Sequence, residues 1–193
     1  MALTRDDLWS LEEYAEQRED FRSQVIAHKK HRQVYLGPHA TLYFEDALTM
    51  KYQIQEMLRI EKIFTRAEIE EELEAYNPLI PDGSNFKATF MIEYADVEER
   101  AAALARMGGI EHKVWLQVAD QEKVFALANE DLERSNDKKA AAVHFMRFQL
   151  PQETIQALKA DATLQMGIDH PELPYEMEVP DNVRHSLCQD LDQ

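Results

Sequence analysis

Apolar positions along the chain recur with two different periods, and the changes from one to the other divide it into elements. In TRDDLWSLEEYAEQREDFRSQVIAHKKHR, Leu8, Leu11 and Tyr14 stand at helical spacing, and Phe21, Val25 and His28 follow on a common side. One or two helices are predicted, with Thr4 and Asp7 as a cap and an early acidic residue. Gln33-Val34-Tyr35-Leu36 and Ala40-Thr41-Leu42-Tyr43-Phe44 are rich in β-branched and aromatic residues, and Gly37-Pro38-His39 between them predicts a hairpin. The stretch ALTMKYQIQEMLRIEKIF then carries apolar groups around much of its circumference, which predicts a helix buried on more than one side. RAEIEEELEAY is a further helix.

At about 100° per residue, Met50, Ile54, Met57, Leu58 and Glu61 gather on one face of the long helix, and Tyr52, Glu56, Arg59, Ile60 and Ile63 on the other. The carboxylates of Glu56 and Glu61 therefore point different ways. Glu56 has a local partner in Arg59, whereas Glu61 has Met57 and Leu58 behind it. His28, Glu56 and Glu61 all fall within apolar helical patterns, where an ionisable group needs a hydrogen-bond partner, an opposite charge or a metal.

Farther on, Phe86 to Tyr94 alternates as a strand, and Asp96 to Met107 reads as a helix closed by Gly108-Gly109. His112–Val118, Val124–Leu127 and Ala140–Leu150 favour strands, Pro151 opens the helix QETIQALKA, and Leu164–Ile168 returns as a strand. Pro171, Pro174 and Pro180 predict a peripheral end over residues 171–193, before a short helix. Runs of helix and strand that do not alternate regularly fit an α+β class, a mainly antiparallel sheet with helices packed around it, in one compact domain over residues 1–193.

Charge narrows the function classes. A formal net charge of -16 at pH 7 gives a field of the wrong sign for nucleic acid or anionic lipid. The basic run His28-Lys29-Lys30-His31-Arg32 reads first as a solvated helix end that complements the helix dipole. No apolar stretch is long enough to cross a membrane, and the start has no secretory pattern, so a cytoplasmic protein is expected. The single cysteine, Cys188, lies near Asp190 and Asp192, a poor setting for a reactive thiol. No serine lies in a nucleophile-elbow pattern, and no glycine-rich phosphate loop is present.

Two sets of residues carry candidate chemistry. Imidazole and carboxylate ligands for iron, manganese or zinc are available in His28, Glu61, His144 and His170, with Glu56 or Asp169 as substitutes, if distant segments bring them together. The ordinary alternative is satisfied structural polarity: His144 donating to a nearby carbonyl, and His170 sitting in a turn before Pro171. The second set is a recognition edge of Asp82, Ser84 and Asn85 on the loop from Pro78, although the turn chemistry of Asp82-Gly83 explains that loop without a ligand.

The segments TRDDLWSLEEY, YQIQEMLRIEKIF, AYNPLIPDGSNFKATFMIEY, VHFMRF and GIDHP, in this order and over almost the whole chain, resemble an uncharacterised bacterial family described as a domain of unknown function. Members of that family are often encoded near rubrerythrin-like or iron–sulfur redox proteins. The resemblance implies an accessory role in peroxide or iron metabolism, with a redox protein as partner, and transfers no catalytic residue. Three functions follow as expectations: an accessory protein in redox or iron metabolism that binds a metal, a metal-dependent enzyme, or a small-molecule sensor or carrier. A homo-oligomer fits any of them.

Overall fold

The computed structural model describes residues 2–130 and 139–192. Among these, the helices are α1 (Leu11–Lys29), α2 (Ala47–Glu61), α3 (Arg66–Tyr76), α4 (Val97–Leu104), α5 (Gln152–Lys159) and α6 (Asp181–Cys188). The strands are β1 (Gln33–Tyr35), β2 (Ala40–Glu45), β3 (Asn85–Ile92), β4 (Val114–Val118), β5 (Val124–Phe125), β6 (Leu127–Ala128), β7 (Val143–Gln149), β8 (Leu164–Ile168) and β9 (Tyr175–Glu178). They form two antiparallel sheets, one in the order β1-β2-β3-β7-β6 and the other β5-β4-β8-β9. The α+β class and the antiparallel pairing follow the hydrophobic alternation that predicted them.

Period-two alternation decides what each sheet buries. Leu42, Phe44, Ala88, Phe90, Met146 and Phe148 of the first sheet share one core with Val114, Leu116, Leu164, Met166 and Ile168 of the second. The opposite side chains of β2, β3 and β7 (Tyr43, Glu45, Lys87, Thr89, Met91, Val143, Phe145 and Arg147) are only partly buried. The helices α1 to α3 bury their own smaller clusters, Tyr14, Phe21 and Val25 in one and Ile54, Leu58 and Leu73 in the other.

Local signals place the helix starts. Ser10 caps α1 by accepting from the Glu13 backbone N–H at 3.2 Å, and Glu13 returns a carboxylate to the Ser10 N–H at 2.9 Å. Asp46 caps α2 with the same reciprocity through Thr49, and Asp96 caps α4 by accepting from the Glu99 N–H. Among the described residues, no helix is long and apolar enough to cross a membrane.

Three expectations are corrected. The stretch expected as one strand over Val124–Leu127 is two short strands in different sheets: β5 pairs with β4 and β6 with β7. Ala126 makes the corner, its N–H donating to the Val114 carbonyl at 2.9 Å, so four apolar-rich residues link the sheets instead of extending one. The end of the chain is not peripheral: β9 pairs with β8, and Val179, Val183, Leu187 and Leu191 are buried in the main core. Its prolines lie at element boundaries, Pro180 immediately before α6, where they cost no ladder or helix hydrogen bond. The basic run at the end of α1 is not wholly solvated either, since Arg32 is only 2 % exposed.

Candidate functional site

Five of the six residues expected as metal ligands are held by other partners, and the sixth, Glu61, is exposed. His28 Nε2 lies 2.5 Å from Asp46 Oδ2. Glu56 accepts from Tyr14 Oη at 2.7 Å, from Arg18 Nε and Nη2 at 2.7 and 3.0 Å, and from Arg59 Nη2 at 3.1 Å. The Arg18 hydrogen bonds above all, with those of Tyr14 and Arg59, outweigh burial and hold the Glu56 carboxyl down at about 2. Glu61 is the last residue of α2 and is exposed, because the helix ends at Lys62 in a left-handed conformation just where the apolar face would have buried it.

His144 is fully buried in β7, where Nε2 donates to the Ala141 carbonyl at 2.9 Å and Nδ1 accepts from Asn129 Nδ2 at 2.9 Å. His170 donates to the Gly108 carbonyl and accepts from the Glu172 N–H, closing a turn. Asp169 accepts from Trp115 Nε1 at 2.8 Å and from Lys123 Nζ at 3.0 Å. Among the described residues, no group of three or more His, Cys, Asp or Glu side chains is arranged to hold a metal ion. The convergence that the sequence reading required of these residues is therefore not seen: five make structural contacts, and Glu61 stands exposed.

The Asp82 loop is likewise bonded to itself. Asp82 Oδ1 accepts from the Ser84 N–H and Oγ at 3.0 and 2.7 Å, and Asn85 Oδ1 accepts from the Asp82 N–H at 3.3 Å. Its neighbour Gly83, at φ 97°, receives the end of the chain: Asp192 N–H donates to the Gly83 carbonyl at 2.8 Å. That positive φ is what favours glycine here; a β-carbon would also displace the exposed Asp192 carboxylate, whose Oδ2 would lie 2.1 Å away. A hollow of about 580 Å³ beside this junction is lined by Asp46, Asp82, Asp190, Asp192 and Arg32. Arg32 donates to Phe44 O, Glu45 O, Ser186 O and Asp190 Oδ2, tying α6 to the end of β2.

A more ligand-like space lies over the outer face of the first sheet. There α2, the end of α3 and the short turn Asn77–Leu79 stand off from β2, β3 and β7, leaving a hollow of about 390 Å³. Its floor is Tyr43, Thr89, Met91, Val143 and Phe145, and its walls include Lys29, Gln33, Met50, Gln53, Tyr76 and Leu79. A second hollow of about 500 Å³ continues past Pro78 to Lys87, Glu130 and Arg147. Leu79 and Phe145 line both, so the two form one cleft. A largely apolar cleft with a few placed polar groups is the usual form of a small-molecule site.

Strand register fixes the polar groups of this cleft. Tyr43, Thr89 and Phe145 stand in one row across β2, β3 and β7, and Glu45, Lys87 and Arg147 in the next. Burial, and secondarily Glu93, push the Tyr43 hydroxyl above its ordinary pKa, keeping it a neutral donor, here to Glu93 Oε2 at 3.3 Å. Sequence inspection missed these residues because the outward side of an alternating strand looks the same whether it faces water or a cleft. The one signal available was the aromatic and β-branched content of that outward set, Tyr43, Thr89, Val143 and Phe145.

Comparison with known proteins agrees with the fold. A crystal structure described as a novel protein of unknown function from Burkholderia pseudomallei K96243 is similar at 52% sequence identity and a TM-score of 0.94, over 100% of both chains. No curated protein matches. Residues 2–191 match the family described as protein of unknown function (DUF3501). By that match over nearly its whole length, the chain belongs to the DUF3501 family.

Proposed function

We propose that this protein is an accessory protein of redox or iron metabolism that works as a small-molecule sensor or carrier, holding an organic ligand in the cleft over its first sheet. The observation that carries this reading is the cleft itself, two joined hollows of about 390 and 500 Å³ with an apolar floor and polar groups at both ends. The metabolic setting and a redox protein as the partner served come from the sequence resemblance. The metal-binding form of the accessory role has less support, because five of its candidate ligands are engaged elsewhere and Glu61 is exposed at the end of α2.

Native mass spectrometry tests the reading, with protein purified without detergent or organic additive. The wild type should carry an organic mass that is released on denaturation. Val143→Trp, which fills the floor of the cleft, should lose that mass while keeping the wild-type circular dichroism spectrum. A wild type that carries no organic mass, or a Val143→Trp protein that carries the same one, overturns the reading.

A further inference from the structure

Opposite charges placed directly across neighbouring strands ordinarily pair. In the row Glu45–Lys87–Arg147 the two outer members are engaged elsewhere. Glu45 accepts from Thr49 Oγ1 at 2.6 Å and from Thr89 Oγ1 at 3.1 Å. Arg147 gives its fork to Glu130, at 2.9 and 2.7 Å. Lys87, half-buried between them, has no hydrogen bond or ion pair among the described residues. Burial, and then the Arg147 charge, push its amine pKa down against the weaker attraction of Glu130 and Asp82, neither of which it bonds directly.

Lys87 stands in the second hollow, and Leu79 and Phe145 lead from there to the floor of the first at Met91 and Val143. We infer that the cleft takes an amphipathic monocarboxylic acid, its carboxylate on Lys87 Nζ and its hydrocarbon body passing Leu79 and Phe145 onto Met91 and Val143. This inference rests on the ligand-binding reading of the cleft. A single negative charge is specified by what surrounds the lysine: Arg147 is already neutralised by Glu130, and Glu74 also lines the hollow. Among the described residues lining the second hollow, a dianionic phosphate would meet a single cation without a direct partner beside these carboxylates, on a chain of net charge -16. A monoanion supplies the direct ion-pair partner that Lys87 lacks there, and no more.

Isothermal titration with decanoate and with decan-1-ol, below their aggregation concentrations, tests the inference on the whole protein. Wild type should bind decanoate about tenfold or more tightly than Lys87→Gln, the scale of one charge-assisted hydrogen bond. Lys87→Arg should retain most of that affinity, and decan-1-ol should bind wild type and Lys87→Gln alike. Val143→Trp should weaken both probes. Equal decanoate affinity in wild type and Lys87→Gln overturns the carboxylate assignment, and if decan-1-ol still binds and Val143→Trp still blocks it, the cleft reading stands without it. Failure of both probes to bind wild type overturns the amphipathic ligand class, and the mass-spectrometric release then decides the cleft reading separately.

Discussion

His28 Nε2 lies 2.5 Å from Asp46 Oδ2, while Oδ1 of the same carboxylate accepts the Thr49 backbone N–H at 2.9 Å. One side chain thus caps α2 and joins it to the end of α1. Arg32 Nε, 3.4 Å from Asp46 Oδ2, adds a buried positive charge to the junction. The two roles separate by substitution. Asp46→Asn keeps an acceptor for the cap and removes the charge, whereas Asp46→Ala removes both. Urea unfolding at neutral pH should place Asp46→Ala about 1 kcal/mol below Asp46→Asn, the ordinary worth of a cap. It should place Asp46→Asn about 1–2 kcal/mol below wild type for the lost charged hydrogen bonds. Equal stability of the two variants would remove the cap from this account.

Glu56 and Glu61 share a helix and a sequence-level suspicion, but they should behave oppositely. Glu56 is held by Arg18, Tyr14 and Arg59, and Tyr14 is fully buried. Glu56→Gln should cost about 2 kcal/mol, less than a fully buried pair because Arg18 remains partly exposed. A carboxyl held below its ordinary value contributes stability that is present above that value and lost as pH falls. The cost of Glu56→Gln should therefore be full above about pH 4.5 and shrink towards pH 2. Glu61→Gln removes an exposed negative charge at a helix C-terminus, which the helix dipole disfavours, so stability should change by less than about 0.5 kcal/mol. A large loss at Glu61 would restore the buried, charged role that its spacing suggested.

The difference between those two glutamates also marks how far the sequence could be read. Periodicity located α2, α3 and the β1–β2 hairpin closely, because amphipathic spacing and the Gly37-Pro38 turn are local properties. It paired Glu56 with Arg59 for the same reason, and the bond is present. It could not see Arg18 and Tyr14, which reach Glu56 from another helix, or Asp46, which gives His28 its partner from 18 residues away. It also assigned burial to Glu61 by extending the apolar face to the last residue of the helix, where the chain turns away and leaves that position exposed. The division of Val124–Leu127 between two sheets and the packing of the C-terminal segment depend on strand partners distant in sequence. The cleft is a relation between helices and the outer sheet face, so only its residue types were legible.

Gly167 and Trp115 stand opposite each other on β8 and β4. The Trp115 indole is buried, Lys123 Nζ lies 3.8 Å from its ring centroid, and Nε1 donates to Asp169. A β-carbon at Gly167 would lie 2.4 Å from Trp115 Cζ2 and 2.5 Å from the Tyr175 carbonyl oxygen. The ring is packed against its neighbours and the carbonyl belongs to the backbone of β9, so relief requires the strand to move. Gly167→Ala should lose about 3 kcal/mol or more, at the upper end of overpacking costs, with altered tryptophan fluorescence. Gly167→Ala combined with Trp115→Leu should recover part of that loss. An unperturbed single variant would show that β8 and β9 separate readily.

Asp190 predicts a pH dependence of the opposite sign to that of Glu56. Its carboxylate is 2.5 Å from Arg32 Nη2 and almost fully buried, and burial outweighs the attraction of Arg32 to push its pKa up from 3.8 to about 6. Between those two values the folded state holds more protons than the unfolded chain, so this group lowers stability as pH rises and its full cost is reached above about pH 6. The shift corresponds to about 3 kcal/mol. Asp190→Asn removes the titration and also leaves Arg32 with one charged partner fewer, so its stability at a single pH combines two effects. The change with pH isolates the titration, because the lost Arg32 contact contributes a nearly constant offset. Urea unfolding across pH 4 to 6.5 should show the stability of Asp190→Asn rising relative to wild type until about pH 6 and then levelling. A difference that stays flat would mean that the Arg32 pair holds Asp190 ionised throughout, and that the end of the chain is tied to α2 without a pH-dependent cost.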